Sequence, residues 1–487
     1  MFEFRPLSLV IGSMLIALGA SMTIPALIDF AAGNKDWGGF LLSAALTAFA
    51  GLALALAGRA PAGQTLSSID LRQAFLLTSL SWLLISLFAA LPFVLVAVDL
   101  TVHDAVFEAV SGFTTTGSTV LAGLDTTNPG TLMWRGLLQW IGGVGIVVTA
   151  IAVMPMLHVG GMQLFHTESS DSSEEKLLPR MVQFARSIGL IYLGLSLACA
   201  LSYWAGGMSA FDAAVNMMAT VSTGGYSTSD KSFMFWDSPV IDAMAILFMF
   251  LGALPIILFW PALHGRPALL FANSQVRGYF MITIAATMVL TVFQWLNGIN
   301  DGWRAFRFAA FNTVSLITST GFMNTDYGSW GPFATMFFIC IMLLGGCSGS
   351  TAGGLKIFRV QILYQAMQNQ IRRVLYPNGV FTARYNDRPL PDATISSVTG
   401  FLFLYLLTFA ISGFVLVVLG LDMTSAFSAA AAMLGNAGPG MGAILGPAGN
   451  FSTLSPPQIW VLTITMLLGR LELLTVYVLF LPRFWRR

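Results

Sequence analysis

Charge is what this chain has least of. Asp, Glu, Lys and Arg together make up 9% of 487 residues and sum to +1 with neutral histidine. So few charges cannot clothe a soluble globular surface. The balanced total, with no basic cluster interleaved with aromatics, excludes nucleic acid as a partner. Cysteine is also scarce. Cys199, Cys340 and Cys347 lie in apolar or small-residue runs without metal-ligand spacing, which argues against a disulfide framework or a zinc site. The four histidines (His103, His158, His166, His264) fall singly at helix ends and form no ligand pair. The apolar runs hold no acid pair, His-rich motif or nucleophile–base arrangement, so an intramembrane enzyme has no residues to work with. No G-x-G-x-x-G follows a strand, and no organic cofactor is expected in this chain.

Apolar sequence is what the chain has in abundance: 56% of residues are hydrophobic, with a mean hydropathy of +0.78. Runs of about twenty apolar residues recur along its length, the span a bilayer-crossing helix needs. The first, from Pro6 to Phe30, is too long for a signal peptide and reads as a retained span. The fold class is therefore an all-α integral membrane protein, with the lipid bilayer as its solvent.

Four short strips organise the rest: FTTTGST at Phe113–Thr119, TVSTGGY at Thr220–Tyr226, ITSTGFM at Ile317–Met323 and LGNAGPG at Leu434–Gly440. Aligned on Gly117, Gly224, Gly321 and Gly438, each follows an apolar run too brief to cross a bilayer. Each precedes a polar loop and a long apolar helix. Thr, Ser and Gly supply backbone carbonyls, hydroxyls and access to positive φ. Those are the materials of a loop whose oxygens replace the hydration shell of a cation. Small residues in membrane helices also mark close helix packing, but four copies in the same place weigh against that explanation.

Helix, half-helix, strip and helix, four times over, give four pseudo-repeats of residues 70–157, 181–263, 275–368 and 394–487 around one pore. An N-terminal hairpin, residues 1–58, brings the total to ten transmembrane helices with both termini on one side. The half-helices are expected near Asp104–Gly112, Ala210–Ala219, Ala305–Leu316 and Thr424–Met433. Most Lys and Arg fall on the side of the termini, among them Arg5, Arg72, Arg180, Arg266, Lys356, Arg372, Arg373 and Arg487. Lys35, Arg135, Lys231, Arg304 and Arg307 fall opposite, so the termini are expected to be cytoplasmic. Acids gather on the outer side as Asp99, Asp104, Glu108, Asp125, Asp212, Asp230, Asp237, Asp301, Asp326 and Asp422. They would form a vestibule that concentrates cations, although ordinary loop solubility also accounts for them. The linker His158–Arg186, with its run HTESSDSSEEK, reads as a solvated loop. Its acidic stretch Glu168–Lys176, with the basic stretches Lys356–Arg373 and Arg384–Arg388, offers charge to a cytoplasmic partner.

The helices after the strips share a second register: LQWIGG with Gly142, FMFLGA with Gly252, IMLLGG with Gly345 and TMLLGR with Gly469. The next position is Gly143, Ala253, Gly346 and Arg470. Arg470 thus carries a charge deep in a spanning helix, a functional candidate by default. Glu472 is too close along the helix to share its face, so backbone carbonyls of a neighbouring segment are the expected partners. The third repeat offers that segment, because its last helix is interrupted by GGCSGSTAGG (Gly345, Gly346, Cys347, Ser348, Gly349, Ser350, Thr351, Ala352, Gly353 and Gly354). Irregular backbone at membrane depth survives only against protein or a water-filled cavity, so this loop is expected below the strips, within reach of Arg470. A Gly-rich kink that aids packing is the alternative.

These strips, the GGCSGSTAGG interruption and the lone Arg in LLGRLELLT resemble the Trk-type potassium-uptake subunits (TrkH-like) of the Trk/Ktr/HKT superfamily, over the whole chain. The resemblance implies a K+-conducting subunit of the bacterial inner membrane, moving K+ inward through a filter of four loops. It implies a homodimer opened by a cytoplasmic nucleotide-binding ring (TrkA-like). It places the K+ filter on Thr114, Thr115, Thr116, Gly117, Val221, Ser222, Thr223, Gly224, Thr318, Ser319, Thr320, Gly321, Gly435, Asn436, Ala437 and Gly438. It places the intramembrane gate on Gly345–Gly354 and Arg470. The strips differ outside their glycine, which predicts a less symmetric cage and weaker discrimination against Na+ than identical loops would give. An ion-coupled secondary transporter of a small solute or Na+ remains the alternative, since broken helices and repeats occur there too; four loops of one type with no inverted pair argue against it.

Overall fold

The structure, a computed structural model, describes residues 3–59, 70–96, 100–152, 177–386, 388–442 and 444–486. Asp99 and the acidic run Glu168–Lys176 lie outside them.

Helices dominate, and among the described residues the β-structure is one short antiparallel pair, Arg384–Tyr385 with Arg388–Pro389. Among the described residues, seven helices are long and apolar enough to cross a membrane, and two bent pairs raise the total to nine. The chain is thus multi-pass. The count falls short of the expected ten because the post-strip helices are not alike. Pro129–Ala152 has the length of a span. Pro239–Gly252 turns by 97° into Ile256–Leu263, and Pro456–Arg470 turns by 108° into Leu473–Phe480. Pro332–Leu344 stops after 13 residues at the GGCSGSTAGG stretch, and a regular helix resumes only as Ile357–Leu375.

Local chemistry explains the boundaries. All four post-strip helices begin at a proline (Pro129, Pro239, Pro332 and Pro456), whose fixed φ suits a first turn and whose missing N–H is not needed there. The half-helices are Val102–Phe113, Ala210–Val221, Gly302–Ile317 and Met423–Leu434, each a residue or more longer at both ends than expected, except at Ala210. Thr101, Ser209 and Asp422 cap three of them through side-chain oxygens.

Glycine lets the hairpin helices touch. An added Cβ at Gly12 would lie 2.6 Å from the carbonyl oxygen of Gly51, and one at Gly51 would lie 2.8 Å from that of Gly12. Helices Arg5–Ser21 and Trp37–Ala57 therefore pack backbone to backbone. The hairpin is tied to the rest by Asp29, which is fully buried and accepts the Gly130 N–H at 2.8 Å, at the start of the first post-strip helix.

Candidate functional site

Each half-helix ends where its strip begins, at Thr114, Ser222, Thr318 and Gly435. From there the four backbones follow the same path. The second strip residue is left-handed in every case: Thr115, Thr223, Ser319 and Asn436 have φ between 51° and 56°. The third donates its N–H back to the half-helix, from Thr116 to Ser111, Gly224 to Ala219, Thr320 to Ser315 and Ala437 to Ala432, at 2.7–2.9 Å. The fourth is a left-handed glycine: Gly117, Gly225, Gly321 and Gly438, with φ of 85–92°. Four non-glycine residues in this region are strained by about 1–3 kcal/mol each, a cost borne where surroundings over-determine the backbone.

This corrects the register of the second strip. The conformational equivalent of Gly117 is Gly225, not Gly224, and Val221 closes the half-helix instead of opening the strip. The sequence Thr–Gly–Gly offers two glycines, and positive φ, not glycine itself, marks the equivalent position.

The four glycines close a ring. An added Cβ at Gly438 would lie 2.7 Å from the carbonyl oxygen of Thr116. The corresponding approaches of Gly117 to Gly224, Gly225 to Thr320 and Gly321 to Ala437 are closer still. Each strip thus meets the next through the carbonyl preceding that strip's own glycine, in the cyclic order one, two, three, four, one. A side chain at any of the four positions would push neighbouring strips apart. Strips one and three, opposite each other in this order, repeat one hydroxyl pair, Thr114 with Thr116 and Thr318 with Thr320, both at 2.7 Å. Strips four and one are joined by Asn436, which donates to Thr116 Oγ1 at 2.9 Å. Among the described residues, no hydrogen bond is donated to the carbonyls of Thr115, Thr116, Ser319, Thr320, Asn436 or Ala437. The half-helix C-termini, with their partial negative charge, run into the strips and favour a cation there.

The glycines of the second register support the half-helix ends. At Gly142, Gly252 and Gly469 an added Cβ would meet the carbonyl oxygen of Phe113, Val221 and Leu434, the last residue of the half-helix in each case. Gly345 departs from this pattern. It is left-handed (φ 79°), ends its helix and abuts Gly353.

The interrupted segment lies against three of the strips. Thr351 Oγ1 donates to the carbonyls of Val221 at 3.2 Å and Gly252 at 3.0 Å, and meets Thr223 Oγ1 at 3.1 Å. Gly353 N–H donates to Ser319 Oγ at 2.6 Å, and an added Cβ on Gly353 would strike the carbonyl of Gly435. On its far side the Ser348 N–H donates to Gln275 Oε1 at 2.8 Å. Gly345–Gly354 therefore contacts strips two, three and four at the level of their left-handed residues.

Against the segment lies a cavity of about 20 Å³, lined by Ser348, Gly349, Ala352, Gly353 and Gly354 with Lys356, Arg359, Arg470 and Glu472. Arg470 is 4% exposed and adjoins the loop, but its Nε and Nη2 have no hydrogen-bond partner among the described residues. The expected bonds from Arg470 to loop carbonyls are thus not formed by those atoms. The cation that does bond the loop is Lys356, left-handed at φ 66°, whose Nζ donates to the Ala352 carbonyl. Glu472 pairs with Arg359 at 2.5 Å, so it is indeed not the partner of Arg470.

The outer acids also need correction. Glu108 is fully buried and paired with Arg135 at 2.8 Å, so it belongs to no open vestibule, and Arg135 is not a loop charge. The pair organises the entrance of strips one and two. Glu108 accepts Val120 N–H and Thr119 Oγ1 at 3.0 Å, while Arg135 donates to the Ser227 carbonyl and lies over the Tyr226 ring. A second such unit joins Arg307 to Asp242 at 2.7 Å, with Asn324 donating to the same carboxylate. Asp125, Asp230, Asp237, Asp301, Asp326 and Asp422 are exposed. Sequence reasoning missed these two pairings, that of Arg359 with Glu472, and the bond from Lys356 to the loop. The only signal available was an ion placed beside an apolar run, which does not name its partner.

Comparison with known proteins identifies the family and the fold. The model of the TrkH family, described as cation transport protein, matches residues 44–487. The chain is 42% identical to the Trk system potassium uptake protein TrkI of Halomonas elongata, covering 100% of this chain and 98% of the relative. It is 35% identical to the Trk system potassium uptake protein TrkH of Escherichia coli K12, over 99% of this chain and 100% of that one. The crystal structure of the potassium transporter TrkH from Vibrio parahaemolyticus superimposes with a TM-score of 0.91 at 32% identity, covering all of both chains. These relatives are named as transport proteins and not as enzymes, and the chain belongs to the TrkH family of cation transport proteins.

Proposed function

We propose that the chain is the K+-conducting pore subunit of a Trk-type uptake system in the bacterial inner membrane, with both termini cytoplasmic. Thr114–Gly117, Ser222–Gly225, Thr318–Gly321 and Gly435–Gly438 form its filter. The observation that carries the reading is the cyclic contact of four equivalent left-handed glycines with the next strip's carbonyl. Four strips in one ring define an axis, and carbonyls without other partners are the groups that replace water around a cation. The ion is K+ by analogy with the relatives named for potassium uptake.

On this reading the four units of helix, half-helix, strip and helix are pseudo-repeats around one pore, bounded as read from the sequence. Counting Pro332–Leu344 with the loop that follows it as a further crossing gives ten spans: 13 residues reach only about 20 Å, and Gly345–Gly354 continues the crossing. That loop is the gate. It closes the axis below strips two, three and four, and Lys356 and Arg470 set positive charge beneath it, which repels a passing cation. Opening withdraws the loop. The basic stretch ending in Arg372 and Arg373 faces the cytoplasm, where a nucleotide-binding ring docks on a homodimer of this chain.

Growth of a potassium-uptake-deficient bacterium in low external potassium tests the assignment. Expression of this chain with its partner should restore growth, and a Gly225→Ser chain inserted at equal level should restore it less well, most visibly when external sodium is high. Equal rescue by both would refute the filter as placed here.

A further inference from the structure

The left-handed glycine of the second strip is braced differently from those of strips one and three. In strip one, Ser111 Oγ donates to the carbonyl of Ser118, the residue after Gly117, at 2.6 Å. In strip three, Ser315 Oγ does the same to Phe322, the residue after Gly321, at 2.6 Å. Each serine belongs to the strip's own half-helix, three residues before the strip. The second half-helix has Ala219 at that place and no hydroxyl to offer. What holds strip two comes from another unit. Gln139, fully buried in the first post-strip helix, donates its amide to the Gly224 carbonyl at 2.6 Å and accepts the Tyr226 N–H at 3.0 Å.

One side-chain amide thus brackets Gly225 on both sides. Three residues before Gly142 stands Gln139; three before Gly252, Gly345 and Gly469 stand Met249, Met342 and Met466, all fully buried. A thioether is a weak acceptor and no donor, so it cannot replace the amide. The second glycine of the strip follows from the same contact, because an added Cβ at Gly224 would lie 2.5 Å from the Gln139 amide carbon. The Thr–Gly–Gly sequence makes room for the clamp.

We propose that Gln139 is a specificity-determining positioning residue: by fixing the peptides before and after Gly225 it holds the path of the second strip within the ring, and with it the K+-over-Na+ preference of the pore. The inference rests on the filter reading above. A buried hydrogen-bonded amide holds a backbone group rigidly, and its loss leaves both peptide groups unsatisfied. A looser strip tolerates the smaller ion.

The test measures the zero-current potential of the purified full-length protein in lipid bilayers under opposed K+ and Na+ gradients. Gln139→Met, the residue type found at the three equivalent positions, should lower the K+/Na+ permeability ratio several-fold. Gln139→Glu adds a readout that simple packing would not move. The protonated carboxyl reproduces the amide's donor and acceptor, whereas the carboxylate has no proton to give the Gly224 carbonyl. Its ratio should be near native at low pH and fall as pH rises between about 5 and 9, the range over which buried carboxyls titrate. Gly225→Ser is the control for the filter itself. A lowered ratio for Gly225→Ser beside a native ratio for Gln139→Met overturns the inference and leaves the filter standing; native ratios for both overturn the filter reading and this inference with it. Should Gln139→Met not fold, a flat, native ratio for Gln139→Glu across that pH range overturns the inference alone.

Discussion

Thr351 of the interrupted helix meets Thr223 of the second strip, hydroxyl to hydroxyl, at 3.1 Å. Thr351 also donates to Val221 and Gly252, so one side chain joins the loop to a half-helix end, a strip and a post-strip helix. The loop is therefore fastened to the strips it lies against. Thr351→Val keeps the shape and removes the hydroxyl, at a cost to the docked loop of about 1–3 kcal/mol in unsatisfied partners. Basal potassium flux into proteoliposomes should rise several-fold; an unchanged rate would mean that these bonds do not hold the loop shut.

Substitutions at the ring glycines should act on ion preference. Gly117→Ser, Gly225→Ser, Gly321→Ser and Gly438→Ser each place a side chain in a left-handed residue facing the next strip's carbonyl. Backbone strain alone amounts to about 1–2 kcal/mol. Each should weaken K+-over-Na+ preference, by amounts that differ because the strips differ. Gly224→Ser, where φ is not left-handed and the neighbour is the Gln139 side chain, should cost less than Gly225→Ser. Rubidium and sodium flux ratios rank the two, and the reverse ranking would restore the alignment on Gly224.

On the proposed reading, substitutions of Lys356 and Arg470 beside the loop should separate gating from selectivity. Lys356→Met removes the bond to the Ala352 carbonyl, and Arg470→Ala removes a buried charge from the same cavity. Both should raise basal conductance with an unaltered permeability ratio, because the strips lie elsewhere. Single-channel recordings would show it as higher open probability. Normal folding with native conductance in both variants would move the gate to another part of the chain.

The buried pair Glu108–Arg135 should matter to stability. Its side chains are 0% and 1% exposed, so Glu108→Gln leaves a guanidinium without its counter-charge at the head of two strips. Breaking such a pair from one side costs about 3–5 kcal/mol, whereas replacing both partners by apolar residues costs less. Thermal unfolding in detergent should place Glu108→Gln below the double variant Glu108→Leu/Arg135→Met. A double variant less stable than the single one would argue that Arg135 acts mainly through Ser227 and Tyr226.

Much of this was legible in the residues, for identifiable reasons. Half-helices could be placed because short apolar runs end in Thr, Ser and Gly; the proline starts of the following helices at Pro129 and Pro456 came only with the structure. The break at Gly345 was legible because ten small residues cannot continue a helix through lipid. What could not be read was anything set by contacts between distant residues. Choosing between Gly224 and Gly225 depends on Gln139, more than eighty positions away in sequence. Glu108 and Arg135 looked like outer charges because each borders a loop, and only packing shows that they face one another. The partner of Arg470 was expected among loop carbonyls because Gly-rich backbone exposes them; Lys356, much nearer in sequence, reaches that backbone first. The bends after Gly252 and Arg470 left no period in the hydrophobicity to mark them.

The most direct test of the filter is the zero-current potential of the purified protein in a planar bilayer, with potassium on one side and equimolar sodium on the other. It is read for the native chain and for Arg470→Ala, which keeps the strips and loosens the gate. The account predicts a potassium-selective potential of the same value in both, with larger current in Arg470→Ala. A potential at zero, or an absence of ionic current in both, would contradict it.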